Sequence, residues 1–499
     1  MKYRRIAAYM SAAALLALSA CGGADTAKKD AETTAEIITI TDETESITES
    51  VSEEEIFIPT SYNLLDEGKV TEYKNQHQSG MCWAYAAAAV AESSLIVSGY
   101  EDESVDLSEG HICYSVYQFA EDRPSDSQED GVYVVGEKKK NKTIPYFVGG
   151  SSGLVVQQFA IGAGPIYEQE APINTDAREL EKSVDNFAKL EEEGKLTKYM
   201  GSYLLTQGLI YDSPEEIKEG IIKHGAVFVA IFADQKGAGK DSEGHSNYYL
   251  TDKTNPPKDT NHVVTIIGWD DKYSKDNFTN TPSGDGAWLV KDSTANSGYF
   301  WMSYDEFYDE TSAQGMVFSK RSDYGDILFH DSLIPMCGIK AEGEYTEIAS
   351  VFKSDADNEI KGLGIYANAC EQKVNVTIYR NPEPGKPDSG EKLYEKDYVI
   401  EHKGYEVVNV DAAASVSAGD SFSIVLKYSN SGVAEIAPFE GDESMYPTAY
   451  WAEIYIVSNE GESYAKSGDT WYDTSKSETS AVFGKTGTLN NACIKVLMR

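Results

Sequence analysis

Positive charge is what this chain has least of. It carries 43 Lys and Arg against 82 Asp and Glu, a formal net charge of −39. Binding a phosphate backbone needs basic surface, so this balance excludes a nucleic-acid partner. It suits a self-repelling surface that faces the medium. Zinc patterns are missing as well: neither Cys-x-x-Cys nor His-Glu-x-x-His occurs, and neither a metal nor a cofactor is expected. Long apolar runs are scarce. The most prominent, Ile6 to Ala20, is too short to read as a membrane span. Cysteines are few, and Cys113, Cys337, Cys370 and Cys493 give no secure disulfide framework. The 41% hydrophobic content of the 499 residues excludes wholesale disorder and suffices for several cores.

The chain opens with Met1-Lys2-Tyr3-Arg4-Arg5, continues through the apolar run and reaches Leu18-Ser19-Ala20-Cys21-Gly22. A charged start, an apolar stretch and small residues make a secretory signal. The last five residues resemble the lipobox of bacterial lipoproteins. That resemblance implies acylation of Cys21, a membrane as partner through an N-terminal lipid, and an extracytoplasmic, surface location. Each buried CH₂ of an acyl chain contributes ~0.8 kcal/mol, so several chains anchor stably. Residues 1–21 are therefore read as signal peptide and lipobox. Residues 22–56, rich in Thr, Glu, Ser and Asp, read as a disordered acidic tether.

Chemistry concentrates at Asn75-Gln76-His77-Gln78-Ser79-Gly80-Met81-Cys82-Trp83-Ala84-Tyr85. Ala86 to Val97 is a run of helix formers, with Gly99 as a stop. Ser79 is expected to cap that helix and Gly80 to make the turn into it. Cys82 then lies in the first turn, where the helix dipole and unpaired N–H groups favour a thiolate. Taken alone, Cys82 reads more readily as an inert core thiol. Two later segments decide against that. His262 opens the apolar, β-branched run to Gly268, a buried strand. Gly286 to Lys291 is a second strand, ending at Asp292 and followed by Gly298-Tyr299. A Cys at a helix start, a His on a strand and a carboxylate beyond it make a thiol nucleophile, its base and the base's orienter.

These blocks resemble the papain family of cysteine peptidases. The family's Gln, six residues before the nucleophile, and its Cys-Trp-Ala-aromatic run correspond to Gln76 and to Cys82, Trp83, Ala84 and Tyr85. Its Asn/Asp-His-Ala-Val block corresponds to Asn261–Val264, and its Lys-Asn-Ser-Trp block to Lys291-Asp292-Ser293-Thr294. The resemblance implies an α+β papain-like fold, a helical subdomain plus a β-barrel-like subdomain. It also implies a protein or peptide substrate, Cys82 as nucleophile, His262 as its imidazolium partner and Asp292 as orienter. Gln76 and the Cys82 N–H would hold the oxyanion; Gly149, Gly150 and Asn261 would lie along the substrate. Three residues depart from the family. Asp292 stands in place of Asn, Ser79 in place of a disulfide-forming Cys, and Thr294 in place of a Trp that shields the orienter–His contact. Thr294 should therefore let water reach that contact. These departures keep a second reading open, a surface binding protein with a degenerate peptidase domain.

Gly149-Gly150-Ser151-Ser152-Gly153 also fits the nucleophile-elbow pattern after an apolar run, which makes Ser151 the rival nucleophile of a serine hydrolase. Asp106 to Tyr114 begins another helix carrying His111 and Cys113, and residues 121–145 read as a solvated polar loop. Helices are expected within 175–200 and over Pro214–His224, with a strand over 226–231. His245 sits in a polar loop with no visible partner, and Asp270, Asp271, Asp276 and Asn277 lack the spacing of a calcium loop.

From about residue 318 the pattern changes. Val374, Val376 and Ile378 alternate with polar residues, as do Phe422, Ile424 and Leu426, between turns such as Asn381-Pro382 and Gly419-Asp420. This predicts an all-β antiparallel sandwich. It resembles the lectin-like domain that follows papain-like domains in bacterial surface proteins, with a glycan or surface ligand as the implied partner. Trp451, Tyr455, Trp471 and Tyr472 are the aromatics available for stacking on a sugar. The expected division is a peptidase domain over 57–317 and a self-sufficient sandwich over 318–499.

Overall fold

The alanine-rich run folds as one helix, Cys82–Val97, and every residue from Trp83 to Leu95 is buried. A helix apolar on all sides needs neighbours all round. In this computed structural model, residues 56–120, 130–176, 178–250, 260–294, 298–306, 308–431, 435, 437–445 and 452–499 are described. Cys21, residues 22–55 of the acidic tether and Trp451 lie outside them.

The helix packs on the strands His262–Asp270 and Tyr308–Lys320 on one side, and on the helices Glu109–Val116 and Ser152–Ala160 on the other. Trp83, Leu95, Phe159, Phe228, Ile266 and Trp269 share this core. Ser108 caps the helix Glu109–Val116 by accepting the N–H of His111 at 3.0 Å. Ser213 caps Pro214–His224 in the same way at 3.2 Å. Gly99, at φ +73°, ends the nucleophile helix as its lack of a Cβ allows.

The strands His262–Asp270, Ala287–Lys291 and Tyr299–Ser303 are consecutive antiparallel neighbours, with Val227–Ile231 on the other edge of the first. That order places His262 and the end of Ala287–Lys291 over the N-terminus of the helix Cys82–Val97.

The C-terminal half is a sandwich. One face is the sheet Glu391–Ile400, Gln372–Arg380, Ser421–Ser429, Tyr345–Lys353, Ser463–Ser467 and Thr470–Asp473. Val374, Val376, Ile378, Phe422, Ile424 and Leu426 point inward from it, against Leu363, Ile365 and Val408 of the opposing sheet. The expected alternation holds, and Asn381 and Gly419 take the positive φ that their turns need, 52° and 89°.

One expectation fails here. Residues 121–145 are not a plain loop. Gly131–Val135 is a buried strand, parallel to Tyr117–Ala120 and antiparallel to Ala452–Tyr455. Its Val-Tyr-Val-Val run pairs with a segment more than three hundred residues away, so local polarity misleads. The division at 317/318 falls inside the strand Tyr308–Lys320. The two halves also share one sheet: Lys403–Glu406 pairs with Gln207–Ile210, which joins the opposing face of the sandwich to the peptidase strands in a 13-stranded sheet. The sandwich is not self-sufficient in hydrogen bonding.

Candidate active site

Cys82 is the first residue of its helix. Met81, not Ser79, precedes it as cap, and no side chain caps the turn. The Ser79 hydroxyl instead donates to the Gln76 carbonyl at 2.8 Å, because Gly80 and Met81 hold it too far back. The first-turn N–H groups of a helix have no partner within the helix. The Cys82 sulfur uses one of them, Trp83, together with the N–H of Val263.

His262 stands between Cys82 and Asp292. Its Nε2 meets Asp292 Oδ1 at 2.7 Å, which leaves Nδ1 for the thiol, and the His262–Cys82 hydrogen bond is formed. Burial alone would raise the Cys82 pKa; the hydrogen bond and charge of His262 outweigh it, and the thiol lies below its ordinary value. Burial alone would lower His262; its hydrogen bonds to Asp292 and Cys82 hold it above the usual imidazole value. Burial likewise would raise Asp292, and His262 with Thr294 keeps it below the usual carboxylate range. The three shifts run in the directions that a thiolate–imidazolium–carboxylate relay requires.

Thr294 does not leave that relay open to water. Its N–H reaches Asp292 Oδ1 at 3.1 Å and its hydroxyl reaches Oδ2 at 2.8 Å. The side chains of His262 and Asp292 are only 11% and 8% exposed. The expected solvation of the contact is thus corrected.

Gln76 is buried. Its Nε2 donates to the Ser79 carbonyl at 2.8 Å and its Oε1 accepts the Ser293 hydroxyl at 2.6 Å. One amide hydrogen remains for an oxyanion. Ser293 thereby fixes which end of Gln76 faces the site, a role its sequence block did not reveal. Gly150 lies against Trp83: a Cβ there would sit 2.4 Å from the indole, so only glycine fits. The Gly149 carbonyl accepts the Tyr117 hydroxyl at 2.6 Å. Asn261 directly precedes the strand that His262 opens. Its side chain is exposed and grips the backbone of Ala233, accepting N–H at 2.7 Å and donating to the carbonyl at 3.1 Å. It pins a loop beside His262.

Ser151 is no elbow nucleophile. A 3₁₀ turn, Ile144–Tyr146, precedes it in place of a strand, and its hydroxyl caps the helix Ser152–Ala160. His111 is buried with Nε2 on the Thr197 carbonyl at 2.9 Å. His245 does have a partner, Asp241, at 3.1 Å. Asp271 is taken up by Lys218 at 2.6 Å and Tyr304 at 2.7 Å. Cys113, Cys337, Cys370 and Cys493 are free thiols.

Behind the relay lies a charged cluster that was not foreseen. Lys74 reaches Glu92 at 2.9 Å, Asp106 at 2.5 Å and Glu109 at 2.8 Å. Its one sequence sign was Glu92, a carboxylate in the middle of an alanine helix.

A family model described as papain family cysteine protease matches residues 58–316, more than half of the chain. The chain belongs to the papain family of cysteine proteases. A lectin-like domain model matches residues 330–497, so this papain-family chain carries a C-terminal lectin-like domain. Among solved structures, it resembles the cysteine protease and lectin-like domains of Cwp84, a surface layer associated protein of Clostridium difficile. The TM-score is 0.66 at 22% identity, over 89% of each chain. A second structure of Cwp84, after propeptide cleavage, matches with a TM-score of 0.67 at 23% identity, over 88% of this chain and 99% of that one. Both likenesses concern the fold. A cysteine protease of Blomia tropicalis is 24% identical over 249 residues, 48% of this chain and 60% of the relative. Stem bromelain of Ananas comosus is 34% identical over 68 residues, 12% of this chain and 32% of its own length. The chain thus spans less than two thirds of either relative.

Proposed function

We propose that this chain is an extracytoplasmic cysteine peptidase, lipid-anchored through Cys21, that hydrolyses peptide bonds of protein substrates. The observation that carries the reading is the Cys82–His262–Asp292 relay, with its 2.7 Å His–Asp contact. Cys82 attacks the scissile carbonyl as a thiolate. The Gln76 amide and the Cys82 N–H receive the oxyanion; losing one such donor typically costs ~2.7–4 kcal/mol. His262, held in orientation by Asp292, gives its Nδ1 proton to the leaving amine. It then takes a proton from the water that hydrolyses the thioester.

The working division is a peptidase domain over residues 57–317 and a lectin-like domain over 318–499, with a glycan or surface ligand as partner of the second. The description of Cwp84 as surface layer associated supports a surface location. No helix among the described residues is long and apolar enough to cross a membrane, and the anchor rests on Cys21. The test is direct. Cys82→Ala should abolish peptidase activity and labelling by a thiol-directed epoxide near pH 6, while Ser151→Ala keeps both. Cys21→Ala should release the protein from membranes after a salt wash. Activity that survives Cys82→Ala overturns the nucleophile; a variant that stays membrane-bound overturns the anchor.

A further inference from the structure

A cleft of about 530 Å³ opens beside the loop that carries Gln76. Asn75 and His77, the neighbours of Gln76 in the chain, both line it. The Thr175 hydroxyl ties another part of its wall to the Asn75 carbonyl at 3.2 Å. A cleft of this size takes a small ligand or a long side chain. Its lining is acidic, with Glu72, Glu103, Asp106, Glu109 and Glu168. Among the described residues that line it, Lys74 is the one lysine or arginine.

Lys74 cannot serve all of these carboxylates. Its ammonium has three hydrogens and already meets four acceptors. They are Glu92 at 2.9 Å, Asp106 at 2.5 Å, Glu109 at 2.8 Å and the Leu107 carbonyl at 3.0 Å. Glu168 is left over. Its Oε1 accepts the Ile173 N–H at 2.7 Å, while Oε2 is buried with no hydrogen-bond partner. Burial, with the charges of Glu109 and Asp106 acting on it, pushes Glu168 up to about 8. A buried carboxylate oxygen that lacks both a donor and a counter-charge is costly. A cation that donates hydrogen bonds supplies both.

The placement of the cleft indicates where that cation comes from. Residues 75–82 run between the cleft and the glycines Gly149 and Gly150. At one end, Gly80 packs so closely that a Cβ on it would sit 2.7 Å from the Phe147 carbonyl oxygen and 3.1 Å from the Gly149 nitrogen. At the other end, Asn75 and His77 border the cleft. In the proposed reaction Cys82 and Gln76 mark the scissile carbonyl. A substrate chain that enters along the glycines therefore leaves toward the cleft.

We propose, on the strength of the peptidase reading, that this cleft is a substrate subsite for the cationic side chain of a lysine or arginine, on the side of the scissile bond away from Gly149 and Gly150. Glu168 Oε2 accepts from the ammonium or guanidinium inside. Glu103 and Asp106, both exposed, draw the cation in from the rim. Charge complementarity of this kind selects among substrates by their kcat/KM.

The experiment uses the full chain and quenched fluorescent peptides that differ at one position at a time on either side of the scissile bond. Lys or Arg in place of Met, a neutral side chain of similar length, should raise kcat/KM about tenfold at a position on one side only. Added salt should lower that ratio. Glu168→Gln should cut it to about threefold or less. Glu103→Lys, a change at an exposed residue, should lower it as well and serves if Glu168→Gln fails to fold. Equal rates for Lys, Arg and Met at every position overturn the subsite and leave the peptidase standing. A chain that cleaves no peptide overturns the peptidase reading and the subsite with it. A preference that survives both variants places cation recognition elsewhere and also overturns the assignment. So does a higher Tm in Glu168→Gln with an unchanged ratio, which would mean that a proton, not a substrate, serves Glu168.

Discussion

Thr294 holds both oxygens of Asp292, by its N–H at 3.1 Å and its hydroxyl at 2.8 Å. The carboxylate that orients His262 is thus fixed from behind by the residue two positions along. A hydrogen bond to a charged group contributes about 1.5–3 kcal/mol. Thr294→Val keeps the shape and the N–H but removes the hydroxyl. kcat/KM should fall about three- to tenfold, a partial loss of that hydrogen bond, and Thr294→Ser should restore it. Full activity in Thr294→Val would show that the hydroxyl does not matter to the relay.

Ser293 does for Gln76 what Thr294 does for Asp292. Its hydroxyl meets Gln76 Oε1 at 2.6 Å and keeps the amide hydrogens toward the site. Ser293→Ala should lower kcat with little change in KM, because the oxyanion forms only after binding. Gln76→Ala should cost more, about two to three orders of magnitude in kcat. A Ser293→Ala effect confined to KM would place Ser293 in substrate binding instead.

The sequence made the relay legible because each of its parts sits in a local, patterned block: a thiol before alanines, a His opening an apolar run, a carboxylate closing another. What supports the relay was not legible. Ser79 looked like a cap by composition, yet its hydroxyl turns back to Gln76. Thr294 looked like a lost shield, yet it is a hydrogen-bond donor. The sandwich showed in its alternation, but its dependence on the peptidase did not, since Gly131–Val135 and Gln207–Ile210 find partners only in the folded chain.

That dependence predicts that residues 318–499 do not fold alone. The fragment would start inside a strand and leave Lys403–Glu406 unpaired. It would also strip Gln157 from the buried Lys495–Asp331 pair, where its Nε2 donates to the Asp331 carbonyl at 3.0 Å and its Oε1 accepts from Lys495 at 3.2 Å. Breaking such buried partnerships is strongly destabilising. Circular dichroism and hydrogen exchange should show an unfolded or aggregated fragment, whereas residues 57–499 fold. A monomeric, protected fragment would refute the shared-sheet argument.

Lys74 offers a stability test. Glu92 and Glu109 are nearly fully buried, and Lys74 forms ion pairs with both, while the buried Lys291 acts on them through its charge. Lys74→Met removes their direct ion pairs and should destabilise the fold by about 3–5 kcal/mol. Burial already pushes Glu109 up to about 7, against the pull of Lys74. A carboxyl raised on folding binds its proton more tightly in the native state, so its contribution to stability falls as pH rises from the unfolded value through the folded one. Without Lys74 that fall should extend to higher pH, and the deficit should be larger at pH 8 than at pH 5. Thermal unfolding at both values reads it; an equal deficit at each would mean that the carboxylates are not what suffers.

The last prediction concerns the charge of Asp292. It raises His262, and with it the pH to which the thiolate–imidazolium pair survives. The pair exists above the lowered pKa of Cys82 and is lost as pH rises through the raised pKa of His262. Asp292→Asn keeps the shape and an acceptor oxygen, restores the family's usual residue and removes the charge. The alkaline limb of kcat/KM should therefore move to lower pH. The acidic limb should move less, because it reports chiefly the thiol side; both limbs are macroscopic values of a coupled pair. Activity itself should persist, since the amide oxygen still accepts from Nε2. Asp292→Ala should be far worse, with His262 free to turn away from Cys82. The low exposure of the contact, 11% and 8% for the two side chains, argues for a clear shift, because little solvent screens the lost charge. Profiles of kcat/KM against pH for the three proteins decide the matter. An unmoved alkaline limb in Asp292→Asn, together with full activity in Asp292→Ala, would remove Asp292 from the relay.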